Sequence, residues 1–328
     1  MTSSPVRRLP VDTPLTEGRT NVYLLPDDPV SLVDSGINTA DARTQLRDGL
    51  SEYGLTISDV EQVFLTHYHA DHGGLAGWIQ SKSDAAVFAH ESDADRVDPS
   101  PAQWLDICNS QYERLETWGT PRSKLSELRA VNDENHRFHS DSVEIDPLRD
   151  GDVVAAGEAG LTVIHTPGHT AGSCCYQVDD KVFTGDTLLP VYTPNIGGAD
   201  MRLSDPIGTY LQSLRLLAES RYAHAYPGHR DSITQPTDRI SEIGSHHLSQ
   251  AHLLLEAMEK RESSADLWTL TQELYVDVED IHVVLGVGET HAHLRHLETL
   301  GLVDLADDGA ARTTIDRAAD IVDERWPV

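Results

Sequence analysis

The sequence predicts a layered α/β (α+β) fold with a helical insert and a C-terminal domain of helices and a hairpin. Short apolar runs alternate with segments of helical periodicity up to about residue 240, a pattern typical of sheets covered by helices. The stretch from about 91 to 140 is polar and helical. From Leu267 onwards, three short helical segments precede two strands around a turn, which is the pattern of a winged helix.

Strands and helices alternate through the first ninety residues. A turn at Pro26-Asp27-Asp28-Pro29 separates the first two strands, and Gly54 ends the first helix. The short run Val60 to Thr66, rich in Val and Phe, is interpreted as a buried strand. The predicted strands are Thr20 to Leu25, Ser31 to Asp34, Val60 to Thr66 and Ala85 to Ala89, and the helices are Thr39 to Tyr53 and Gly73 to Ser81.

The insert is predicted to be a pair of helices, because its aromatic and aliphatic residues share one face and Gly119-Thr120-Pro121 interrupts them. Its Trp104, Tyr112 and Trp118 are candidates for lining a substrate pocket or for packing the helices together. The later predicted elements are strands over Val153 to Val154, Leu161 to His165, Ser173 to Val178, Val182 to Thr184 and Ala223 to Tyr226, with a helix over Tyr210 to Ser220.

The C-terminal part contains no further strand of that buried kind. Its predicted elements are helices over Arg239 to Arg261, Leu267 to Tyr275, Val278 to Leu285 and Glu289 to Leu300, then strands over Leu302 to Leu305 and Ala311 to Ile315. We therefore predict a catalytic domain over 1–240 and a helical, winged-helix domain over 241–328.

Charge is the most distinctive feature of the composition. Fifty-four acidic residues against 25 basic ones give the 328-residue chain a formal net charge of −29. Self-repulsion of this size destabilises a fold at low salt and is screened at high salt, so a halophilic source is predicted. The same charge disfavours a nucleic-acid partner held by a broad basic surface.

The sequence predicts a cytoplasmic protein. Arg7-Arg8 is followed by no apolar segment of the kind that export signals carry, and no run approaches the roughly 20 apolar residues of a membrane helix. The three cysteines, Cys108, Cys174 and Cys175, do not form a disulfide pattern. No membrane partner is therefore expected.

Metal-ligating residues are concentrated directly after the predicted strand Val60 to Thr66. His67, His69, Asp71 and His72 lie within six residues, and residues two apart in an extended segment point the same way. His67 and His69 can therefore share one ion, while a turn directs Asp71 and His72 towards a second.

Three more ligand-type residues follow apolar strands, each next to glycine. They are His169 in Thr166-Pro167-Gly168-His169-Thr170, Asp186 in Thr184-Gly185-Asp186-Thr187 and His229 in Tyr226-Pro227-Gly228-His229. We expect all seven groups to collect at one rim of the sheets. By contrast, His90 and His165, together with the C-terminal histidines 246, 247, 282, 291, 293 and 296, are predicted to have surface or packing roles.

These segments, in this order, resemble the metallo-β-lactamase superfamily over residues 20 to 235. Leu32-Val33-Asp34-Ser35-Gly36 matches the segment in which that family has an aspartate near the metals. The resemblance implies an αβ/βα sandwich with two divalent metal ions at one edge. Zinc is expected, with iron or manganese as alternatives. The implied ligands are His67, His69 and His169 for one ion and Asp71, His72 and His229 for the other, with Asp186 bridging them.

The resemblance implies hydrolysis by a hydroxide that bridges the two metals, oriented by Asp71, which also accepts its proton. The architecture is similar to that of the β-lactamase-like protein 2 type. The implied chemistry is similar to that of glyoxalase II. A small-molecule thioester, ester or lactone is the leading substrate class. The C-terminal part does not resemble the glutathione-binding domain of glyoxalase II. Asp186, where β-lactamases tend to have cysteine, argues against antibiotic hydrolysis.

Two other functions stay open at the level of sequence. The same metals could cleave single-stranded RNA, with Arg202, Arg221 and Arg230 as candidates for a basic path. A winged helix could also bind DNA, but its presumed recognition helix over Glu289 to Leu300 carries only Arg295 as a permanent base. Packing, formation of a homodimer or a contribution to the pocket wall is the preferred role for this domain.

Overall fold

The first half of the chain builds a six-stranded sheet. The computed structural model describes residues 6–15, 18–156, 159–261, 264–275, 278–314 and 317–326. In spatial order the strands are β1 (Arg7–Asp12), β2 (Arg19–Leu25), β3 (Ser31–Val33), β4 (Gln62–Phe64), β5 (Ala86–His90) and β6 (Ile145–Leu148). β1, β2 and β3 pair antiparallel, whereas β3 to β6 run parallel. The carboxyl ends of β3, β4 and β5 therefore lie at one edge.

The second sheet has five strands. In spatial order they are β11 (His224–Pro227), β10 (Lys181–Gly185), β9 (Cys174–Val178), β8 (Ala159–His165) and β7 (Val153–Ala156). β10 and β11 are parallel, and the other pairs are antiparallel. Phe64 of the first sheet and Tyr176 and Phe183 of the second belong to one buried cluster, so the two sheets face each other across an apolar layer.

Helices cover both outer faces of this pair of sheets. Their bounds are α1 (Ala40–Ser51), α2 (Ala70–Gly73), α3 (Ala76–Ser83), α4 (Pro101–Thr117), α5 (Arg122–Asn135), α6 (Pro206–Ser220), α7 (Pro236–Glu259), α8 (Leu267–Leu274), α9 (His282–Thr299) and α10 (Ala318–Arg325). Leu46 of α1 and Ile79 of α3 pack with the first sheet. Leu214 of α6 packs with Val182 of the second. The predicted αβ/βα sandwich is confirmed.

The insert consists of the predicted helix pair, α4 and α5. Ser100 begins α4 with a reciprocal cap, because its hydroxyl accepts from the Gln103 backbone N–H while the Gln103 side chain accepts from the Ser100 N–H. Both helices contact α9. The insert and the C-terminal helices therefore form one wall on the same side of the molecule.

The prediction of separate helices over Val278 to Leu285 and Glu289 to Leu300 is wrong, because α9 begins at His282, inside the first segment, and continues unbroken into the second. Gly286 and Gly288 lie between the two predicted segments. A Cβ atom on Gly288 would lie 2.4 Å from the Gly198 Cα atom, so this glycine permits close backbone packing and does not break the helix.

A short hairpin of β12 (Val303–Leu305) and β13 (Ala311–Thr313) follows α9, as predicted. The predicted end of its second strand, Ile315, lies outside the described residues. β1, β6 and α10 are elements that were not predicted. The assignment as a winged helix, and the domain boundary at 240 within α7, stay predictions. None of the helices in the described part of the chain has both the length and the apolarity needed to cross a bilayer.

Candidate metal centre

The turn between β4 and α2 is anchored by an aspartate at the end of the neighbouring strand. Asp34, directly after β3, accepts the Thr66 backbone N–H at 2.8 Å through Oδ1. The Thr66 hydroxyl donates to both carboxylate oxygens at 3.0 Å. Asp34 Oδ2 also lies 2.8 Å from His72 Nδ1. One buried carboxylate therefore fixes the start of the metal-ligating segment and orients a ring within it.

Three imidazoles meet beside this turn. His67 Nε2 lies 3.0 Å from His69 Nδ1, and His169 Nε2 lies 3.0 Å from the same nitrogen atom. Nitrogen ligands at 2.0–2.1 Å from a tetrahedral zinc ion are about 3.3 Å apart. The observed spacing is therefore close to that of three ligands of one ion.

A second group of ligand atoms lies next to the first. Asp71 Oδ2 is 3.6 Å from His72 Nε2 and 3.4 Å from His229 Nε2. Asp186 directs Oδ1 to within 3.4 Å of His72 Nε2, and its Oδ2 lies 3.5 Å from His229 Nε2 and 3.9 Å from His169 Nε2. The Asp186 carboxylate thus faces both groups, and all seven predicted residues meet at one site. The distribution of ions among them stays a prediction.

Unpartnered polar atoms show that this donor set fits cations. His72 Nε2, His229 Nε2 and Asp186 Oδ1 are buried and make no hydrogen bond among the described residues. Leaving a buried polar atom unpaired costs about 1–3 kcal/mol. Divalent ions coordinated by these atoms would remove that cost, and imidazole with carboxylate is a donor set suited to zinc.

The electrostatics of the site differ between the two groups of imidazoles. Although burial opposes it, the Asp186 and Asp71 carboxylates raise the pKa of His72 and, to about 10, that of His229, so metal binding must displace protons from these two rings. Burial, assisted by the other imidazoles, lowers the pKa of His69 to about 3 and that of His67 well below its usual value. Burial opposes ionisation of Asp71 and Asp186, but the nearby imidazoles hold the pKa of each carboxyl well below its usual range. Neutral imidazoles and ionised carboxylates are the forms that coordinate metal ions.

Backbone carbonyl groups orient two of the rings. His169 Nδ1 lies 2.8 Å from the Asn195 carbonyl oxygen, and His229 Nδ1 lies 2.7 Å from that of Arg19. A carbonyl oxygen can only accept, so each ring donates its Nδ1–H and turns Nε2 towards the site. These two contacts fix which nitrogen of each histidine is free to bind metal.

A scan against family models matches residues 15–229 to the metallo-beta-lactamase superfamily. The chain belongs to the metallo-β-lactamase superfamily. This membership confirms the resemblance seen in the motifs and indicates a hydrolase. Its His/Asp clusters suit divalent metal ions.

Three curated relatives cover different parts of this superfamily member. "Probable metallo-hydrolase YqjP" of Bacillus subtilis (strain 168) is 26% identical over 91% of this chain and 93% of its own. "Beta-lactamase-like protein 2 homolog" of Caenorhabditis elegans is 25% identical over 80% and 73%. "Acyl-coenzyme A thioesterase MBLAC2" of Homo sapiens is 33% identical over 57% and 61%. The matches to the first two relatives cover most of those proteins' own length.

A solved structure extends the similarity into the C-terminal part. A metallo-beta-lactamase family protein of Thermus thermophilus is 29% identical and superposes with a TM-score of 0.80, covering 94% of this chain and 98% of its own. The C-terminal helices are therefore part of the arrangement that the two proteins share.

A cavity of about 390 Å³ opens onto the metal centre of this metallo-β-lactamase-fold protein. His69, Asp71, His169 and Asp186 form its floor. Its walls come mainly from the insert and from the segment 189–199, and α9 adds two residues. The apolar group on the insert and α9 consists of Trp104, Ile107, Val131, Phe138, Val284 and Leu285. No lysine or arginine belongs to the described lining. Of the three insert aromatics considered as lining, only Trp104 has that position.

The other two aromatic residues pack within the fold. Tyr112 OH accepts from Asn132 Nδ2 at 3.1 Å, and Trp118 stacks on His291 with ring centroids 3.9 Å apart. These side chains therefore support the pocket wall from behind.

An ion network that sequence reasoning missed holds the His169 loop. Asp93, buried after β5, accepts the Thr170 hydroxyl at 2.6 Å and the Gly172 backbone N–H at 2.9 Å. Arg202 lies 2.5 Å from both Asp93 and Asp200. Arg202, proposed as part of a basic path, is thus paired with two carboxylates. No motif in the sequence marks Asp93, because its partners in this network are 77 or more residues away.

Proposed function

We propose that this protein is a binuclear metal-dependent hydrolase that cleaves small-molecule thioesters, or related esters and lactones, with an apolar acyl group. The observation that carries the proposal is the cavity beside the metal centre, whose walls are largely apolar and whose described lining includes no lysine or arginine. Two relatives bear thioesterase names, the human protein and "Thioesterase pkgB" of Emericella nidulans, which is 25% identical over 70% of this chain.

The seven clustered side chains would hold the two metal ions that such a reaction needs. His67, His69 and His169 would hold one ion, and Asp71, His72 and His229 the other, with Asp186 between them. Bound metal ions lower the pKa of water and polarise a carbonyl group.

Asp71 is the proposed proton acceptor. Its Oδ2 accepts the Thr20 hydroxyl at 3.3 Å, which holds the carboxylate in one orientation at the cavity floor. Apolar walls would position the acyl group and exclude bulk water from the reacting carbonyl.

Single-stranded RNA stays the alternative substrate, and the described arrangement gives it less support. A nucleic acid needs cationic side chains that are free to contact phosphates. Arg202 is committed to Asp93 and Asp200, and the net charge of −29 would repel a polyanion. DNA recognition through the C-terminal domain has little support as well, because Arg295 of its presumed recognition helix is paired with Glu298.

An acyl-length series tests the proposal. The zinc-loaded chain, kept at high salt, is assayed on thioesters that share one small neutral thiol and differ only in acyl length. Each methylene buried in the pocket contributes about 0.8 kcal/mol, so kcat/KM should rise about fourfold per added methylene until the cavity is full. Cleavage of single-stranded RNA without turnover of any thioester, ester or lactone would overturn the proposal.

Two substitutions on α4 separate the pocket from general effects on the helix. Ile107 lines the cavity, whereas Leu105 on the same helix is 55% exposed and lies outside the lining. Ile107→Asn should flatten the dependence of kcat/KM on acyl length, and Leu105→Asn should preserve it. Equal profiles for both variants would show that the acyl group binds elsewhere.

A further inference from the structure

Outside the catalytic centre, α7 and α9 bury a second cluster of ligand-type side chains where they pack together. His247 of α7 and His293 of α9 are fully buried, and Glu289, one turn before His293, is 8% exposed. One potential ligand atom from each of the three lies within 4.8 Å of the other two. Glu289 and His293 are four residues apart, so they lie on the same face of the helix.

The two imidazoles in this cluster resemble the ligands of the catalytic centre in their geometry. His247 Nδ1 lies 3.1 Å from His293 Nε2, close to the 3.0 Å spacings between histidine nitrogens in that centre. His293 Nδ1 lies 2.9 Å from the Glu289 carbonyl oxygen. This ring therefore donates its Nδ1–H to a carbonyl, as His169 does, and directs an unprotonated Nε2 inward.

Glu289 is a buried carboxyl group without an ion pair in the described part of the chain. Asn195 Nδ2 donates to its Oε2 at 2.9 Å, and burial raises its pKa to about 7. On the other side of the cluster, His247 Nε2 is buried and makes no hydrogen bond among the described residues. Buried charges are normally paired or coordinated to metals, so a cation bound here would pair with the ionised form of Glu289 and occupy an open imidazole nitrogen.

We propose that His247, Glu289 and His293 form a further metal site that binds a divalent transition-metal ion, with zinc the best match. Two imidazole nitrogens and one carboxylate oxygen match a common zinc donor set, leaving a fourth position for water. The ion would join α7 to α9. Because Asn195 bonds to Glu289 through its side chain and to His169 through its carbonyl, the site would also steady the loop beside the catalytic centre.

Metal counting on matched variants tests this site. Full-length wild type, His293→Gln and His246→Gln are loaded with zinc, dialysed against zinc-free buffer and measured by mass spectrometry. His246 precedes His247 on α7 and is outside the cluster, so His246→Gln is the matched control. His293→Gln should contain one zinc per chain fewer than the other two proteins. Equal zinc content in all three would overturn the proposal.

Wild-type crystals provide a test that needs no substitution, in case His293→Gln fails to fold. Anomalous scattering at the zinc edge should give a peak between α7 and α9, in addition to the density at the catalytic centre. Occupied catalytic ligands with no peak at the cluster would mean that the two histidines share only a hydrogen bond. The two sites are read separately, so this result does not depend on the proposed substrate.

Discussion

Asp34 supports the metal centre without belonging to the seven ligands. Its carboxylate contacts His72 Nδ1 and also receives the Thr66 N–H. Asn tolerates the positive φ of 60° at this position, but a neutral amide binds the ring more weakly. We expect Asp34→Asn to weaken metal binding about 10–100-fold, measured by competition with a chelator. Asp48→Asn, at an exposed position of α1, should bind metal as tightly as wild type does. Unchanged metal affinity in Asp34→Asn would contradict the supporting role of Asp34.

Gly228 lies so close to the ligands that no side chain fits there. A Cβ atom would be 2.4 Å from Asp186 Oδ1 and 2.5 Å from His72 Cε1. Gly228→Ala should displace one of these ligands, and a displacement of about 1 Å costs about a hundredfold in rate. We expect that loss in kcat/KM, with the far-ultraviolet circular dichroism spectrum unchanged. In Gly286→Ala, where the nearest atom is 3.4 Å away, activity should persist, and near-normal activity in Gly228→Ala would refute this interpretation.

At the scale of elements, Asp93 links β5 to the His169 loop and to the segment around Arg202. Asp93→Asn would leave Arg202 with Asp200 alone. Because Arg202 keeps Asp200, the change removes one charged acceptor, which costs about 1.5–3 kcal/mol, and the free energy of unfolding in urea should fall by that amount. Asp95→Asn, at an exposed position two residues further along the chain, is the matched control. A loss below about 1 kcal/mol in Asp93→Asn would show that the network is not a strong support.

The sequence predicts strand ends better than it predicts the contacts between distant elements. All seven candidate ligands were identifiable because their segments follow apolar strands, and parallel strands place their carboxyl ends together. Asp93 and Asn195 were missed because their roles depend on partners far away in the chain. The division of α9 failed because Gly288 is placed there for close packing against Gly198, and a local pattern does not distinguish that use from a break.

At the scale of the whole molecule, the acidic side chains greatly outnumber the basic side chains that could pair with them. The formal charge is −29. Most of the ion pairs in the described residues are exposed, as in the 92% exposed side chain of Asp231 beside Arg8. Exposed pairs contribute only about 0–1 kcal/mol each. Repulsion among the unpaired acids therefore opposes the compact state.

Stability should consequently depend on salt. The Debye length falls from about 10 Å at 0.1 M salt to about 3 Å at 1 M, so neighbouring carboxylates are largely screened from each other at the higher concentration. We expect the Tm of the full chain to rise by several degrees between about 0.1 and 2 M KCl, measured by calorimetry. Uncharged sucrose at matched osmolality should raise it less, because sucrose acts by exclusion from the surface and leaves the charges unscreened. A Tm that is flat in KCl, or rises equally in sucrose, would mean that charge repulsion is not what limits this fold and would remove the basis for a halophilic source.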